Sequence, residues 1–290
     1  MIHGPGGLRP ARDRVGTAIR QIASTVDFTA EAHQPLIDSA EVGPALWNWL
    51  IGRLLAEPGP VVVTHGTDTL AFTGAALDAA LAGLEVSVVL CGAMQPLDTP
   101  GGDAEGNLRV ALAAAEQAKP GVWLAISGRL MPAGRVTKVQ STGSDAFQLA
   151  GEVASPKPGA GRWFNPSLRV AVLTIAPGLT AESMAAMLAG LDGAVLRVYG
   201  AGTLPAALAA PMAEAVARGC RIVAVSQTLH GQISPGAYAA GARLWEAGVI
   251  SGGAQSVEQA LARLWLQMSA AADRERPAVS QSAQDFPVVS

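Results

Sequence analysis

Lysine is scarce in this chain, at three residues against 17 arginines, and tyrosine occurs only at Tyr199 and Tyr238. Cysteine is limited to Cys91 and Cys220. Both sit beside apolar runs, which excludes a disulfide framework and points to buried thiols in a reducing compartment. A net charge of −3 and a pI near 5.8 leave no basic footprint for a nucleic acid or an anionic membrane surface. No run approaches the roughly 18 apolar residues that cross a bilayer, and the first residues form no signal-peptide core. The four histidines are scattered, and neither CxxC nor HExxH occurs, so no metal site is expected. The absence of GxGxxG and GxxxxGKS counts against a nucleotide-binding protein.

Half of the 290 residues are hydrophobic, enough for one large α/β domain or two smaller ones. The most informative stretch is Pro60 to Leu70, PVVVTHGTDTL. Three valines after a Pro-Gly-Pro break read as a buried strand. The strand ends at Thr64-His65-Gly66, and an Ala- and Leu-rich helix follows Thr67-Asp68-Thr69. In open α/β sheets ligands bind beyond the carboxyl ends of strands, where helix N-termini also present free N–H groups. Thr67 and Asp68 there fit two roles equally: helix caps, or reacting groups. His65 reads as packing at the strand end.

Along the chain, residues 1–22 open on Gly and Pro and read as a loop, where α/β domains usually begin with a strand. Ile22 to Phe28 reads as a short strand and Gln34 to Ala40 as a loop with Asp38 and Ser39. Pro44 to Leu55 is helical in spacing. Strands over 60–64, 86–90 and 122–127 alternate with helices over about 70–82 and 104–117, and Met131 to Lys138 reads as a hairpin or a strand pair around Ala133-Gly134. Asp103 and Asn107, at i and i+4, read as capping and turn residues. This alternation predicts a mostly parallel sheet flanked by helices. Ser155 to Pro166 is a Pro/Gly-rich break. Strands over 168–175, 194–199 and 221–226 then alternate with helices over 180–191 and 205–218. Two helices over about 235–247 and 256–270 follow. The expected organisation is an N-terminal α/β domain over 1–156, a smaller C-terminal α/β domain over 167–270, and a loose tail over 271–290.

Lys138 stands in a stretch with few charges, RVTKVQSTG, whereas Lys119 and Lys157 precede prolines in surface loops. A buried lysine can lose its proton and act as a base; an exposed one is a solvated charge. If their strand ends are neighbours, Thr67, Asp68 and Lys138 form a hydroxyl, carboxylate and amine set.

PVVVTHGTDTL, IDSAEVGPALW (37–47), CGAMQP (91–96), GGDAEGNL (101–108), RVTKVQSTGSDAF (135–147), YGAGTLP (199–205) and SQTLHGQISPGAYAAGARLWEAGVISGG (226–253) together resemble the bacterial L-asparaginase family. The C-terminal segments are most similar to its type I, cytoplasmic branch. The resemblance implies a two-domain asparaginase-like α/β fold and hydrolysis of L-asparagine to L-aspartate and ammonia, with L-glutamine as a second candidate substrate. It implies Thr67, Asp68 and Lys138 as catalytic residues. Asp38, Ser39, Gly66, Thr67, Asp68 and Ala93 would bind substrate. It also implies no cofactor, a cytoplasmic location, and a homodimer or homotetramer whose second subunit completes the site.

The chain departs from the family at its start. The family's first strand ends in TGGTI, which supplies a primary nucleophile, and a tyrosine follows on a mobile loop. GGLRPA (6–11) aligns best beyond that signature, so the strand and its nucleophile are expected to be absent from this chain. Two other readings follow: a non-catalytic relative that binds a small amide or amino acid, and the glutamine-deamidating subunit of a tRNA amidotransferase. Gln227 and His230 stand where some type I relatives have a regulatory asparagine site, but Thr228 replaces a cysteine found there.

Overall fold

The computed structural model describes residues 2–4, 7–9, 14–22, 28–56, 59–152 and 161–275. Two short antiparallel strands, β1 (Ile2–Gly4) and β2 (Gly7–Arg9), precede helix α1 (Arg14–Ile22). Where a loop was expected over residues 1–22, the described residues form two paired strands and a helix. The glycines that suggested a loop, Gly4 and Gly7, are register partners in this pair of strands. In α1, Ala18, Ile19 and Ile22 share one helical face and pack on the cluster containing Leu108 and Ala111. Ile22 closes α1 and Phe28 is irregular, while residues 23–27 of the expected strand lie outside the described residues.

Helix α2 (Pro44–Ala56) begins on a proline, whose fixed φ suits the first helical position. It buries Trp47, Leu50, Ile51 and Leu54 on one stripe. Then come strand β3 (Val61–Thr64), helix α3 (Leu70–Ala80), strand β4 (Ser87–Cys91), helix α4 (Ala104–Glu116) and strand β5 (Gly121–Ile126). The three strands are parallel in the order β3-β4-β5, and β6 (Arg129–Pro132) folds back antiparallel on β5. Ser127 and Gly128 both have positive φ, as a two-residue hairpin turn requires. Val88, Leu90, Leu124 and Ile126 join the largest core cluster on one side of this sheet, and Val89, Cys91 and Ala125 join another on the other side.

A 3-10 turn (Ala133–Arg135) carries the chain out of this sheet into β7 (Val136–Lys138), which pairs with β8 (Phe147–Leu149) in a separate two-stranded ribbon. Of the hairpin or strand pair expected around Ala133-Gly134, the two strands are present but do not pair with each other. They belong to different sheets, because the turn is drawn onto α3. A Cβ on Gly74 of α3 would lie 2.8 Å from the Ala133 carbonyl oxygen, and one on Gly134 would collide with the Asp78 carboxylate. Only small residues allow this approach.

The second half holds four parallel strands in the order β12-β11-β10-β9. These are β9 (Val170–Thr174), β10 (Gly193–Val198), β11 (Arg221–Ser226) and β12 (Ile250–Ser251). Helices α5 (Ala181–Leu188), α6 (Ala209–Ala217) and α7 (Ala239–Glu246) connect them. Helix α8 (Val257–Glu275) then joins both halves: Ala262 and Leu266 enter the core of the first, Ala260, Leu264 and Met268 that of the second. A helix covered on two faces is held by both cores. It runs past residue 270, where the loose tail was expected; residues 276–290 lie outside the described residues.

Overpacking a filled contact typically costs about 1–3 kcal/mol. Gly74→Val is therefore expected to lower unfolding stability by about that amount, measured by urea denaturation, whereas Gly43→Ala, with open space around it, should change it by less than about 0.5 kcal/mol.

Candidate active site

Beyond β3 the chain turns sharply against the segment before α2. Gly66 lies so close to Ser39 that an added Cβ would be 2.6 Å from the Ser39 hydroxyl, which explains the glycine. Ser39 is buried at 7 % exposure. Its Oγ accepts a long hydrogen bond from the Asp68 backbone N–H (3.4 Å), and its carbonyl accepts one from the Thr69 hydroxyl (2.6 Å). Thr69, not Thr67 or Asp68, is the N-cap of α3, and its side chain is committed to Ser39. The capping alternative for Thr67 and Asp68 thus falls away. Asp38 caps its own 3-10 turn, accepting from the Ala40 N–H at 3.0 Å.

Lys138, at the end of β7, reaches this strand end from 70 residues away. Its Nζ donates to Thr67 Oγ1 (3.0 Å) and to Asp68 Oδ1 (2.8 Å). The lysine side chain is 21 % exposed and that of Asp68 62 %. Lys138 is therefore a covered amine whose tip meets a hydroxyl and a carboxylate, not a solvated surface charge. Such a set can accept the hydroxyl proton on the amine and hold the resulting ammonium against the carboxylate. Asp68 keeps an open side that can meet a positively charged ligand group.

Ala93 lies just past β4, the strand paired with β3. Thr64 aligns with Cys91, and the His65 N–H donates to the Cys91 carbonyl at 2.9 Å. Asp103 occupies the N-cap of α4 without a side-chain cap bond. Instead its carboxylate accepts from the Met94 and Gln95 N–H groups, each at 2.9 Å, fastening the loop that follows Ala93. Asn107, fully buried, donates to Gly92 O (2.9 Å) and Asp103 Oδ2 (3.0 Å) and accepts from the Gly128 N–H (2.8 Å). The pair expected to cap a helix braces the neighbouring strand end. Burial, aided by the nearby Asp103 charge, pushes the Cys91 thiol up to about 12, so it is a core thiol and not a nucleophile.

Behind Thr67 lies a directional hydrogen-bond chain. The Trp47 indole N–H donates to Thr73 Oγ1 (3.1 Å), and Thr73 Oγ1 is 3.0 Å from His65 Nε2. The Gly66 carbonyl beside Nδ1 can only accept, so the neutral ring carries its proton on Nδ1 and Nε2 accepts from the Thr73 hydroxyl. The Nδ1–H donates to the Gly66 carbonyl at 2.6 Å. Desolvation holds His65 below its usual 6.5, with the Gly66 bond opposing. His65 is thus a neutral, packed strut, as its position at the strand end suggested. The sequence reading missed Trp47, Thr73 and Gly74 as parts of this region, because nothing local links an indole on α2 with a threonine on α3. In the second sheet, Gln227 Nε2 donates to the carbonyls of Ile175 (2.7 Å) and Arg197 (3.0 Å), tying strand ends together.

At the end of parallel strand β3 an amine from a neighbouring ribbon meets a hydroxyl and a carboxylate, in a chain of two α/β halves, an arrangement suited to a hydrolase of amide C–N bonds. Comparison with known proteins narrows the class. The family described as Asparaginase, N-terminal, matches residues 6–157, and that described as Glutaminase/Asparaginase C-terminal domain matches residues 169–278. The chain is 35% identical over 262 residues to an L-asparaginase of Thermococcus kodakarensis, covering 82% of this chain and 79% of that protein. It is 32% identical over 282 residues to L-asparaginase 1 of Escherichia coli K12, covering 88% and 83%. The solved structure of the thermostable T. kodakarensis L-asparaginase superposes with a TM-score of 0.77 at 31% identity, covering 95% of this chain and 93% of that one. The chain belongs to the asparaginase family. Among the described residues no helix is long and apolar enough to cross a membrane.

Because His65 is held neutral in the fold, the folded chain binds fewer protons than the unfolded chain once pH falls below about 6.5. Stability from this group is complete above that pH and is lost as pH falls toward the lowered folded value. Urea titrations from pH 7 to pH 5 are expected to show unfolding free energy declining, with a shallower decline in His65→Gln.

Proposed function

We propose that this protein hydrolyses the side-chain amide of L-asparagine to L-aspartate and ammonia, with Thr67, Asp68 and Lys138 as the catalytic residues. The observation that carries the reading is the Lys138 amine lying 3.0 Å from the Thr67 hydroxyl and 2.8 Å from the Asp68 carboxylate. The names of the relatives above support the substrate. In the proposed reaction the free amine of Lys138 takes the Thr67 proton, and the Thr67 oxygen takes a proton from the attacking water. The ammonium left on Lys138 is stabilised by Asp68 and returns its proton to the departing nitrogen, releasing ammonia.

Substrate binding follows from charge. The exposed edge of Asp68 suits the α-ammonium group. Ser39, with Asp38 beside it, suits the α-carboxylate near the start of α3, where helix N–H groups favour an anion. Gly66 and Ala93, flanking neighbouring strand ends, offer backbone to the amide group. We further propose a homo-oligomer whose second subunit completes the site, and a cytoplasmic location, which the two buried free thiols favour.

The test is ammonia release from L-asparagine, with L-glutamine in parallel. The wild-type chain should release ammonia, and Lys138→Met and Thr67→Ala should each fall by roughly 10²-fold or more, the usual effect of losing a key polar group at a reaction centre. Turnover in either variant near the wild-type rate, or no turnover of either amide by the wild type, would refute the assignment.

A further inference from the structure

Lys138 reaches the site from a strand of three residues that is paired on one side only, with β8. So short a ribbon cannot by itself fix the tip of a long side chain to within hydrogen-bond distance. What secures it comes from the far end of the sequence. Thr137, next to Lys138, donates its hydroxyl to Glu258 Oε1 at 2.5 Å, across 121 residues. Glu258 lies in the first turn of α8 and is 4 % exposed. Its other oxygen, Oε2, is buried without a hydrogen-bond partner. A buried carboxyl group with one oxygen bonded to a single hydroxyl and the other unpartnered carries a desolvation cost that this contact offsets only in part.

Successive residues of a strand point to opposite faces. With Thr137 bound to α8, Lys138 is turned the other way, toward Thr67 and Asp68. The same end of α8 also grips the chain beyond β8. Gln259 Oε1 accepts from the Glu152 N–H (3.1 Å), its amide donates to the Glu152 carbonyl (3.3 Å), and Arg263 pairs with the Glu152 carboxylate. Gly151, at φ +75°, packs directly on Gln259. The ribbon is therefore fastened at both of its outer ends to one helix, itself anchored in two cores.

We propose that Glu258 is a positioning residue for Lys138, acting through the Thr137 hydroxyl, and that α8 thereby sets the place of the amine relative to Thr67. The catalytic consequence rests on the amide-hydrolase reading given above; the structural link does not. Glu258 touches neither substrate nor reacting atoms. It limits the arc through which β7 can swing, and with it the distance from Nζ to the Thr67 oxygen.

The scarcity of lysine makes the link directly observable. In a Lys119→Arg/Lys157→Arg background, Lys138 is the one lysine left. Reductive ¹³C-methylation then gives its dimethylamine resonance beside that of the N-terminus. Thr137→Val, nearly isosteric, and Glu258→Ala are expected to move that resonance toward the position of an exposed lysine and to change its pH titration. Glu258→Gln, which keeps a carbonyl acceptor, should largely preserve both. In the unmethylated proteins, kcat for L-asparagine should fall by about 10-fold to 100-fold in Thr137→Val, as expected for a reacting group displaced by about an ångström, with KM within about twofold. If Glu258→Ala fails to fold, Thr137→Val carries the measurement alone. A wild-type Lys138 resonance in Thr137→Val would overturn the proposal, as would wild-type kcat with only a lowered melting temperature. A wild type without turnover but with the resonance shift intact would instead refute the substrate reading and leave the link standing.

Discussion

The site depends on two backbone segments passing each other with almost nothing between them. Helix α3 presents Gly74 to the carbonyl of Ala133, and the next residue, Gly134, lies against Asp78. This contact takes the chain out of the sheet after β6 and sends it along α3 toward that helix's N-terminus. There β7 ends with its lysine amine at Thr67. Apolar burial drives the approach, since Ala133, Val136 and Phe147 sit in the same core as Leu70 and Leu77. Glycine sets how close it comes. Asp78, buried at that contact, has its carboxyl raised to about 6 by desolvation, with Arg263 opposing.

Polar side chains then convert proximity into geometry. Asp103 and Asn107 brace the end of β4; Trp47, Thr73 and His65 brace the end of β3; Ser39 fills the space that Gly66 leaves open. Most of these groups are buried or nearly so, where a satisfied hydrogen bond is worth far more than one lost to solvent. The reacting side chains are left with short tethers and few alternatives. The site is thus held from behind while Asp68 faces solvent.

Much of this was readable before any coordinates. The valine strand, the hydroxyls and acid after it, and the isolated lysine were legible because each rests on local pattern: periodicity, strand-end chemistry, a scarce residue in a stretch with few charges. Alternation of strand and helix gave both sheets. The misreadings share one cause. Glycine and proline near residues 4–7 and 133–134 signal a change of direction, yet not what the chain does next: Gly4 and Gly7 pair across two short strands, whereas Ala133–Arg135 is a turn that leaves the sheet. Asp103 does stand at the N-cap of α4, but its carboxylate clamps the preceding loop, since an N-cap carboxylate can serve any nearby N–H group. Trp47, Thr73 and Glu258 were invisible because their partners lie 26, 8 and 121 residues away on other elements.

The wire of donors from Trp47 to Gly66 has a polarity, and that polarity narrows what evolution can write there. Every hydrogen in it is spent in one direction, so the residue at 73 must receive with one lone pair and give with its sole proton. Valine matches threonine in shape but can do neither, and a carboxylate can only receive. Serine offers both functions at full strength on a comparably short stem, at the loss of the threonine methyl. The interior behind this strand end is therefore constrained in hydrogen-bond sense as well as in size.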